Sequence, residues 1–234
     1  MASQAQLLPS LFALLPAEHR ELMLSRISLL ALHVEQYHIQ DDIYLATHPV
    51  MPGQNRTLRL RARRRQRRRA SVTPRWAGNI DLDVGGTVSS AGPSWDYSLA
   101  WISPPLSGRE HAEMRVQAYV GLEVAGLSSR AEVEEFVAGI GFKHSHTYTR
   151  SGHLFHLPVP GQTTSTLHLT VTRVLGPDDK GADHTTEPYL VQLQPGKPVG
   201  AVASSRGEPS LQDTMRIMQD VSQRIDGLEW ESGR

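Results

Sequence analysis

The feature that most constrains this chain is a long succession of strand-like segments with few helices between them. Apolar runs or period-two alternation predict strands at residues 6–15, 57–63, 95–101, 113–124, 142–150, 153–157, 166–175 and 188–194. Long runs of strands without alternating helices favour an antiparallel sheet whose helices pack on the outside. The sequence therefore predicts an α+β fold, an antiparallel β-sheet or β-barrel with flanking helices, within a chain of 234 residues.

Two of these strand predictions depend on a particular local pattern. In residues 57–63, Leu58 and Leu60 alternate with Arg59 and Arg61, which is the pattern of a half-exposed strand. Ser151-Gly152 separates the segments 142–150 and 153–157, and this pair is typical of a tight hairpin turn. Residues 176–187 are predicted to be a polar loop.

Three helices are predicted, at residues 17–32, at 129–140 and in a last segment near the end of the chain. Ser129 and Glu132 have the spacing of a capping box, and Gly141 is placed to end that helix. Ser210 and Gly227 are placed to begin and end the last helix. One apolar face of this last helix is formed by Leu211, Met215, Met218, Val221 and Ile225.

The strongest single chemical feature is a run of arginines in a chain whose net charge is zero. Residues 56–75 contain ten arginines, and residues 43–80 contain no Asp or Glu. Six arginines fall within seven positions and should repel one another in a solvated loop: Arg63, Arg64, Arg65, Arg67, Arg68 and Arg69. This segment is consistent with a nuclear-localisation signal, with contact to nucleic-acid phosphates or an acidic partner, or with an inert loop. It contains no aromatic residue for base stacking before Trp76.

The sequence offers little for catalysis or metal binding. His144 and His146 would share one face of a strand, whereas His153 and His156 would point to opposite faces, so the four do not converge easily on a metal. No Gly-x-Ser-x-Gly nucleophile motif, phosphate-binding loop or dinucleotide fingerprint is present. We therefore predict no catalytic residue, no metal ligand and no cofactor.

Acidic pairs need separate attention, because some β-barrels hold a divalent metal with several inward carboxylates and cleave phosphates. Asp81 and Asp83 are the one acid-x-acid pair in a possible strand, and the following Gly85-Gly86 favours a loop there. A metal-dependent phosphohydrolase remains an alternative hypothesis, and a nucleic-acid-binding module that uses the arginine run is another.

The cellular location is constrained only weakly. The chain has no cysteine, which fits a reducing compartment. Its first residues lack the pattern of a signal peptide, and no segment reaches the roughly 20 consecutive apolar residues of a membrane helix.

Two segments resemble the Mediator subunit 18 family. Residues 131–142 contain a helix that ends in Gly141-Phe142, and residues 148–155 lead through a strand into Gly152-His153-Leu154-Phe155. The segment 57–64 is similar to an earlier Leu-Arg-Ala-Arg strand of that family, and 166–175 fits its next strand. The resemblance is clear over about residues 128–175.

The resemblance implies a single barrel domain over residues 1–234, shaped like an RNA triphosphatase but without the acidic active site. It implies that residues 63–80 and 85–106 are loop insertions relative to that family. It also implies a non-catalytic subunit of the Mediator head module in the nucleus, a coactivator that bridges gene-specific regulators and RNA polymerase II through protein contacts. The implied partners are Mediator subunit 20 in a heterodimer, a helix of subunit 8, the other head subunits and RNA polymerase II. Neither membrane association nor direct binding of nucleic acid is expected.

Overall fold

A computed structural model describes residues 6–48, 56–64, 95–106, 114–122, 129–159, 166–177, 179, 186–203 and 208–231. The strands are β1 (Gln6–Leu15), β2 (His33–Ala46), β3 (Thr57–Arg64), β4 (Trp95–Ile102), β5 (Arg115–Leu122), β6 (Phe142–Pro158), β7 (Thr166–Leu175), β8 (Tyr189–Pro195), β9 (Val199–Gly200) and β10 (Trp230–Glu231). The helices are α1 (Arg20–Leu30), α2 (Arg130–Gly139) and α3 (Leu211–Gln223), and a 3₁₀ turn at Ala17–His19 precedes α1.

Eight strands close into an antiparallel barrel, in the order β1-β5-β4-β3-β2-β6-β7-β8. The barrel closes through β1, because its first half pairs with β5 and its second half pairs with β8. The two short strands β9 and β10 each extend the pairing of β1. The predicted α+β fold, an antiparallel barrel with flanking helices, is therefore confirmed.

The helices lie outside the barrel and cover two apolar patches on its wall. The buried face of α3 carries four of the apolar residues predicted for it, Leu211, Met215, Met218 and Val221, and it packs with α1 against β1, β7 and β8. The helix ends at Gln223 and not at Gly227, so Ile225 follows it, although Ile225 is buried in the same core. On the other side, α2 packs Val133, Phe136 and Val137 against outward residues of β2, β3 and β4. The N-terminus of α2 has the predicted capping box between Ser129 and Glu132.

The strand β2 was missing from the prediction, and the hairpin turn at Ser151-Gly152 was wrong. β6 runs unbroken from Phe142 to Pro158 and pairs with β2 and β7 along most of its length. Gly152 is required for a different reason than a turn. A Cβ atom at this position would lie 2.0 Å from the carbonyl oxygen of Val171 on β7. The glycine therefore lets two neighbouring strands approach closely.

Two boundaries of the predicted insertions are corrected by the barrel strands. β3 continues through Arg64, so an insertion after it begins no earlier than residue 65. The strand predicted at 95–101 is confirmed as β4, and it pairs with both β3 and β5. Residues 95–102 are therefore part of the barrel wall. In the described part of the chain, no helix has the length and apolar character needed to span a membrane.

Candidate functional site in the lumen of the barrel

The lumen of the barrel is lined by alternate residues of each strand, and on β3 these residues are arginines. Leu58 and Leu60 are buried on the outer wall with the apolar residues of α2. Since neighbouring side chains of a strand point to opposite faces, Arg59 and Arg61 point into the lumen. The predicted alternation is correct, but its charged face is the inside of the barrel and not the solvent.

Asp41 and Arg61 form an ion pair inside the lumen. They lie opposite each other on β2 and β3, and Arg61 donates from Nε and Nη2 to the two carboxylate oxygens at 2.7 Å each. Burial raises the pKa of Asp41, but the hydrogen bonds and the charge of Arg61 outweigh it and leave this pKa below its ordinary value. The Asp41 carboxylate is therefore charged and fully buried.

Arg150 is a second buried arginine, and its hydrogen-bond partners are all neutral. It projects from β6 and donates to Gln192 at 2.8 Å, to Thr170 at 2.9 Å and to Thr172 at 3.3 Å. Its guanidinium also lies 6.0 Å from the ring centre of Tyr37. Only 7% of Arg150 is exposed, and burial lowers its pKa.

Arg59 is the third arginine of this group. Its Nε atom is buried and has no hydrogen-bond partner. Burial lowers the pKa of Arg59, and the charge of neighbouring Arg61 lowers it further, while the charge of Asp41 acts in the opposite direction. Arg59, Arg61 and Arg150 are electrostatically coupled to the same carboxylate, that of Asp41. We refer to these four residues as the lumen charge cluster.

A cavity of about 350 Å³ opens beside this cluster. Tyr37, Arg61 and Thr170 line it, and two of these residues, Tyr37 and Thr170, also contact Arg150. The remaining lining residues are Arg63, Asp96, Tyr97, Ser98, Leu154, His168, Gln194 and Gly196. The cavity therefore connects the lumen charge cluster to a polar mouth.

The mouth contains a second ion pair and three histidines. Glu35 accepts a hydrogen bond from Nη2 of Arg63, and the same carboxylate oxygen lies 3.1 Å from Nε2 of His156. The His156 ring is 4.7 Å from that of His168 and 5.5 Å from that of His33. Burial, followed by the charges of His156 and Arg63, lowers the pKa of His168 to about 4, so this ring is neutral near pH 7.

The structure places only part of the predicted arginine segment. Arg63 and Arg64 end β3, and Arg63 lies in the lumen mouth in its ion pair with Glu35. It is therefore part of the barrel and not of a solvated loop. The other four arginines lie outside the described residues, namely Arg65, Arg67, Arg68 and Arg69. The acidic pair Asp81 and Asp83 also lies outside them.

The four histidines considered as metal ligands do not meet. His144 contacts Thr147, and His146 contacts the adjacent Ser145. His156 lies in the lumen mouth, while His153 is on the other face of β6. Within the described ranges, no group of three or more His, Cys, Asp or Glu side chains is arranged to hold a metal ion.

Sequence reasoning missed the lumen charge cluster because it missed β2. Without β2, the acid that faces Arg61 could not be assigned. One signal was available in the sequence: Glu35, Tyr37, Ile39 and Asp41 recur with period two. The outward residues of this strand are also polar, so the contrast between its two faces is weak.

A groove of about 580 Å³ lies on the outer wall, between α2 and β6. Arg130 of α2 and Thr147 of β6 line it, and both contact Asp42 of β2: Arg130 forms an ion pair with Asp42 at 2.7 Å, and Thr147 donates a hydrogen bond to it. Arg130 contacts Glu134 one helical turn further on. These contacts explain how a buried carboxylate on the outer wall is satisfied, and they hold α2 against the barrel.

Comparisons with known proteins identify the fold. No family model matches the chain, and no curated protein matches it. Among solved structures, a chain of the Schizosaccharomyces pombe Mediator head module is similar at 12% identity with a TM-score of 0.55, over 96% of this chain and 97% of that one. The PH1819 protein of Pyrococcus horikoshii is similar at 13% identity with a TM-score of 0.51, over 97% and 94%. The triphosphatase of the Mimivirus capping enzyme has 10% identity and a TM-score of 0.46, over 96% and 90%.

Proposed function

We propose that this chain is a non-catalytic subunit of a Mediator head module, a coactivator that acts through protein contacts. The observation that carries the proposal is the fold shared with a chain of the S. pombe Mediator head module over nearly the full length of both chains. The segments around Gly141-Phe142 and Gly152-His153-Leu154-Phe155, which resemble Mediator subunit 18, give independent support from the sequence.

The chemistry of the lumen also supports a non-catalytic role. A metal-dependent phosphohydrolase needs several inward carboxylates that are free to bind a divalent ion. At the described inward positions, Asp41 and Glu35 are each hydrogen-bonded to an arginine, and Asp96 lies at the mouth. The arginine partners would compete with a metal for these oxygens.

We propose the same partners that the resemblance implies. These are subunit 20 in a heterodimer, a helix of subunit 8, other head subunits and, directly or through them, RNA polymerase II. The location would then be the nucleus, and the arginines of the run that follow β3, Arg65, Arg67, Arg68 and Arg69, would serve as a targeting or contact segment. The end of α1 and the following turn expose Leu29 by 86% and Leu32 by 68%, and such apolar residues are suited to a protein contact.

Co-expression with subunits 20 and 8 from the same organism tests this proposal. We expect the three chains to co-purify through a tag on this chain, and to elute together in size-exclusion chromatography. The variant Leu29→Glu tests the exposed end of α1, with Ser25→Glu on the same helix as its matched control, because both positions are exposed. Absence of a complex with the wild-type chain, under conditions where related subunits assemble, would contradict the proposal.

The hydrolase alternative has its own assay. The wild-type chain would be incubated with Mn²⁺ and tripolyphosphate, and phosphate release would be compared with that of an Asp41→Asn variant. Metal-dependent turnover that disappears in the variant would favour the enzyme over the binding subunit. We expect no turnover above the buffer control.

A further inference from the structure

The outward face of α1 carries two leucines that are exposed in the described part of the chain. The inner face of this helix is buried through Met23 and Ile27, which pack in the core that α3 shares with the barrel wall. On the opposite face, Leu22 is 56% exposed and Leu29 is 86% exposed. Ser25 lies between them and is also exposed. Single exposed leucines are common, but leucines aligned on one helix face indicate a contact with another protein.

These three residues have the spacing of a helix–helix contact. Leu22, Ser25 and Leu29 follow one another at intervals of three and four residues, which keeps them on one stripe of an α-helix. Serine in the middle of the stripe is small, and the side chains at the contact set how closely two helices pack. The stripe is therefore suited to a second helix that lies along α1.

The stripe is also symmetric about its own centre. Leu22 and Leu29 lie at equal distances on either side of the midpoint between Ser25 and Arg26. A two-fold axis at that midpoint makes two such helices antiparallel, and it places Leu22 of each copy against Leu29 of the other. An unrelated partner would not require this symmetry, whereas a second copy of the same helix does.

The charges around the stripe fit the same arrangement. Residues 17–25 contain two acids and one arginine, which is a net charge of −1 with histidine neutral. Residues 26–34 contain Arg26 as their one Asp, Glu, Lys or Arg side chain, which is a net charge of +1. Antiparallel pairing brings the negative half of each copy against the positive half of the other, whereas parallel pairing would bring like charges together.

We propose that two copies of this chain pair through α1, in an antiparallel arrangement with two-fold symmetry. Leu32, which is 68% exposed just after the helix, enlarges the apolar surface. Because one short helix from each copy makes a small interface, the dimer is weak and reversible, with a dissociation constant in the micromolar range. The pairing does not rest on membership of a Mediator head module, since it uses only α1. If head subunits bind at Leu29, they compete with the second copy.

Sedimentation equilibrium of the isolated chain, from about 1 to 200 µM, measures this association. We expect the mean mass of the wild type to rise from 25.9 kDa towards twice that value. Leu22→Glu and Leu29→Glu each place a carboxylate in the apolar contact of both copies, so the dissociation constant should rise by about tenfold or more. Leu14→Glu is the matched control, because Leu14 lies on β1 and is 56% exposed, like Leu22. It should dimerise like the wild type.

A cross-link tests the antiparallel geometry, because the chain contains no cysteine. With helix axes about 9 Å apart, the two-fold axis places the two residue-25 Cα atoms about 6 Å apart and the two residue-28 Cα atoms about 13 Å apart. Ser25→Cys should therefore form a disulfide dimer with copper phenanthroline in air, which takes up the two electrons as the two thiols lose their protons. Ser28→Cys, exposed on the flank of the same helix, should cross-link at least about tenfold more slowly.

The proposal fails on any of three results. The isolated wild type stays at 25.9 kDa up to 200 µM, even if subunits 20 and 8 bind at Leu29, which would assign this face to those subunits. The wild type dimerises, but Leu22→Glu and Leu29→Glu dimerise equally well, which would place the contact elsewhere. Ser25→Cys and Ser28→Cys cross-link at equal rates. Both cysteine variants replace exposed serines, so they decide the test if a glutamate variant is unstable.

Discussion

Replacing Asp41 by asparagine is the most informative test of how the lumen is stabilised. The Asp41 carboxylate is fully buried and accepts two hydrogen bonds of 2.7 Å from Arg61. Asparagine keeps the size and one oxygen of the side chain but removes the charge. Three guanidiniums would then share the lumen without the carboxylate to which all three are coupled.

Loss of one partner from a buried ion pair costs about 3–5 kcal/mol of unfolding free energy, because the other charge is left uncompensated. Asp41 also stabilises Arg59 and Arg150, so we expect about 4 kcal/mol or more for Asp41→Asn. In a chain of this length that corresponds to a fall in Tm of roughly 10 °C. Against a typical total of about 5–15 kcal/mol, the variant should still fold in the cold but be strongly destabilised.

Urea unfolding followed by circular dichroism measures this difference. Asp220→Asn, at an exposed position of α3, is the matched control and should change the stability by less than about 0.5 kcal/mol. The double variant Asp41→Asn with Arg61→Met should recover part of the loss, because it also removes one guanidinium. A loss below about 1 kcal/mol for Asp41→Asn would refute the reasoning, since that is the value of an exposed ion pair.

The pH dependence gives a second test of the same residue. The folded pKa of Asp41 lies below its ordinary value, so its contribution to stability is fully present above the unfolded value of 3.8. This contribution is lost as the pH falls below 3.8 and through the folded pKa. The difference in stability between the wild type and Asp41→Asn should therefore shrink below pH 4. A difference that stays constant from pH 7 to pH 3 would contradict an ionised Asp41 in the lumen.

Three further predictions concern other parts of the barrel. Gly152→Ala should lower the unfolding free energy by about 3 kcal/mol in urea titrations, because its Cβ would lie 2.0 Å from the Val171 oxygen, and an equally stable variant would contradict the close approach of β6 and β7. The pKa of His168 is about 4 in the folded state, against an ordinary value of 6.5, so between pH 6.5 and pH 4 the unfolded state binds a proton at this ring that the folded state does not. Wild-type stability should therefore fall over that range by about 2 kcal/mol more than the stability of His168→Gln. Ser210→Ala should cost about 1 kcal/mol in the same titrations, because Ser210 accepts the backbone N–H of Asp213 at the start of α3, while Ser210→Asp should restore most of that loss.

The sequence predicted those elements whose two faces differ clearly in polarity. The face of α3 from Leu211 to Val221 was predictable because apolar residues recur at helical spacing and pack against one side of the barrel. The capping box at Ser129 was predictable because it is local. In contrast, β2 was missed because both of its faces carry charge: Asp41 is satisfied in the lumen and Asp42 on the outer wall. A pattern based on hydrophobicity cannot identify a strand whose polar residues are satisfied on both sides.

Glycine 152 and the arginines of β3 were misread for a related reason. Ser151-Gly152 has the composition of a turn, but the need for glycine comes from β7, which is adjacent in space and distant in sequence. Arg59 and Arg61 have the spacing of an exposed face, because in most antiparallel sheets the charged face is solvated. In a barrel with helices on its outer wall, the apolar face points outward to those helices. The direction of the charged face therefore depends on which face the helices cover, and that information is not local.

The lumen charges also explain how the register of β2 and β3 is fixed. A shift of one residue would turn Leu58 and Leu60 into the lumen and place Arg59 and Arg61 under α2. Two buried arginines would then lie against an apolar helix face without a carboxylate, whereas in the observed register Arg61 lies directly opposite Asp41. Hydrophobic burial under α2 and charge pairing in the lumen thus favour the same register from opposite sides of one strand.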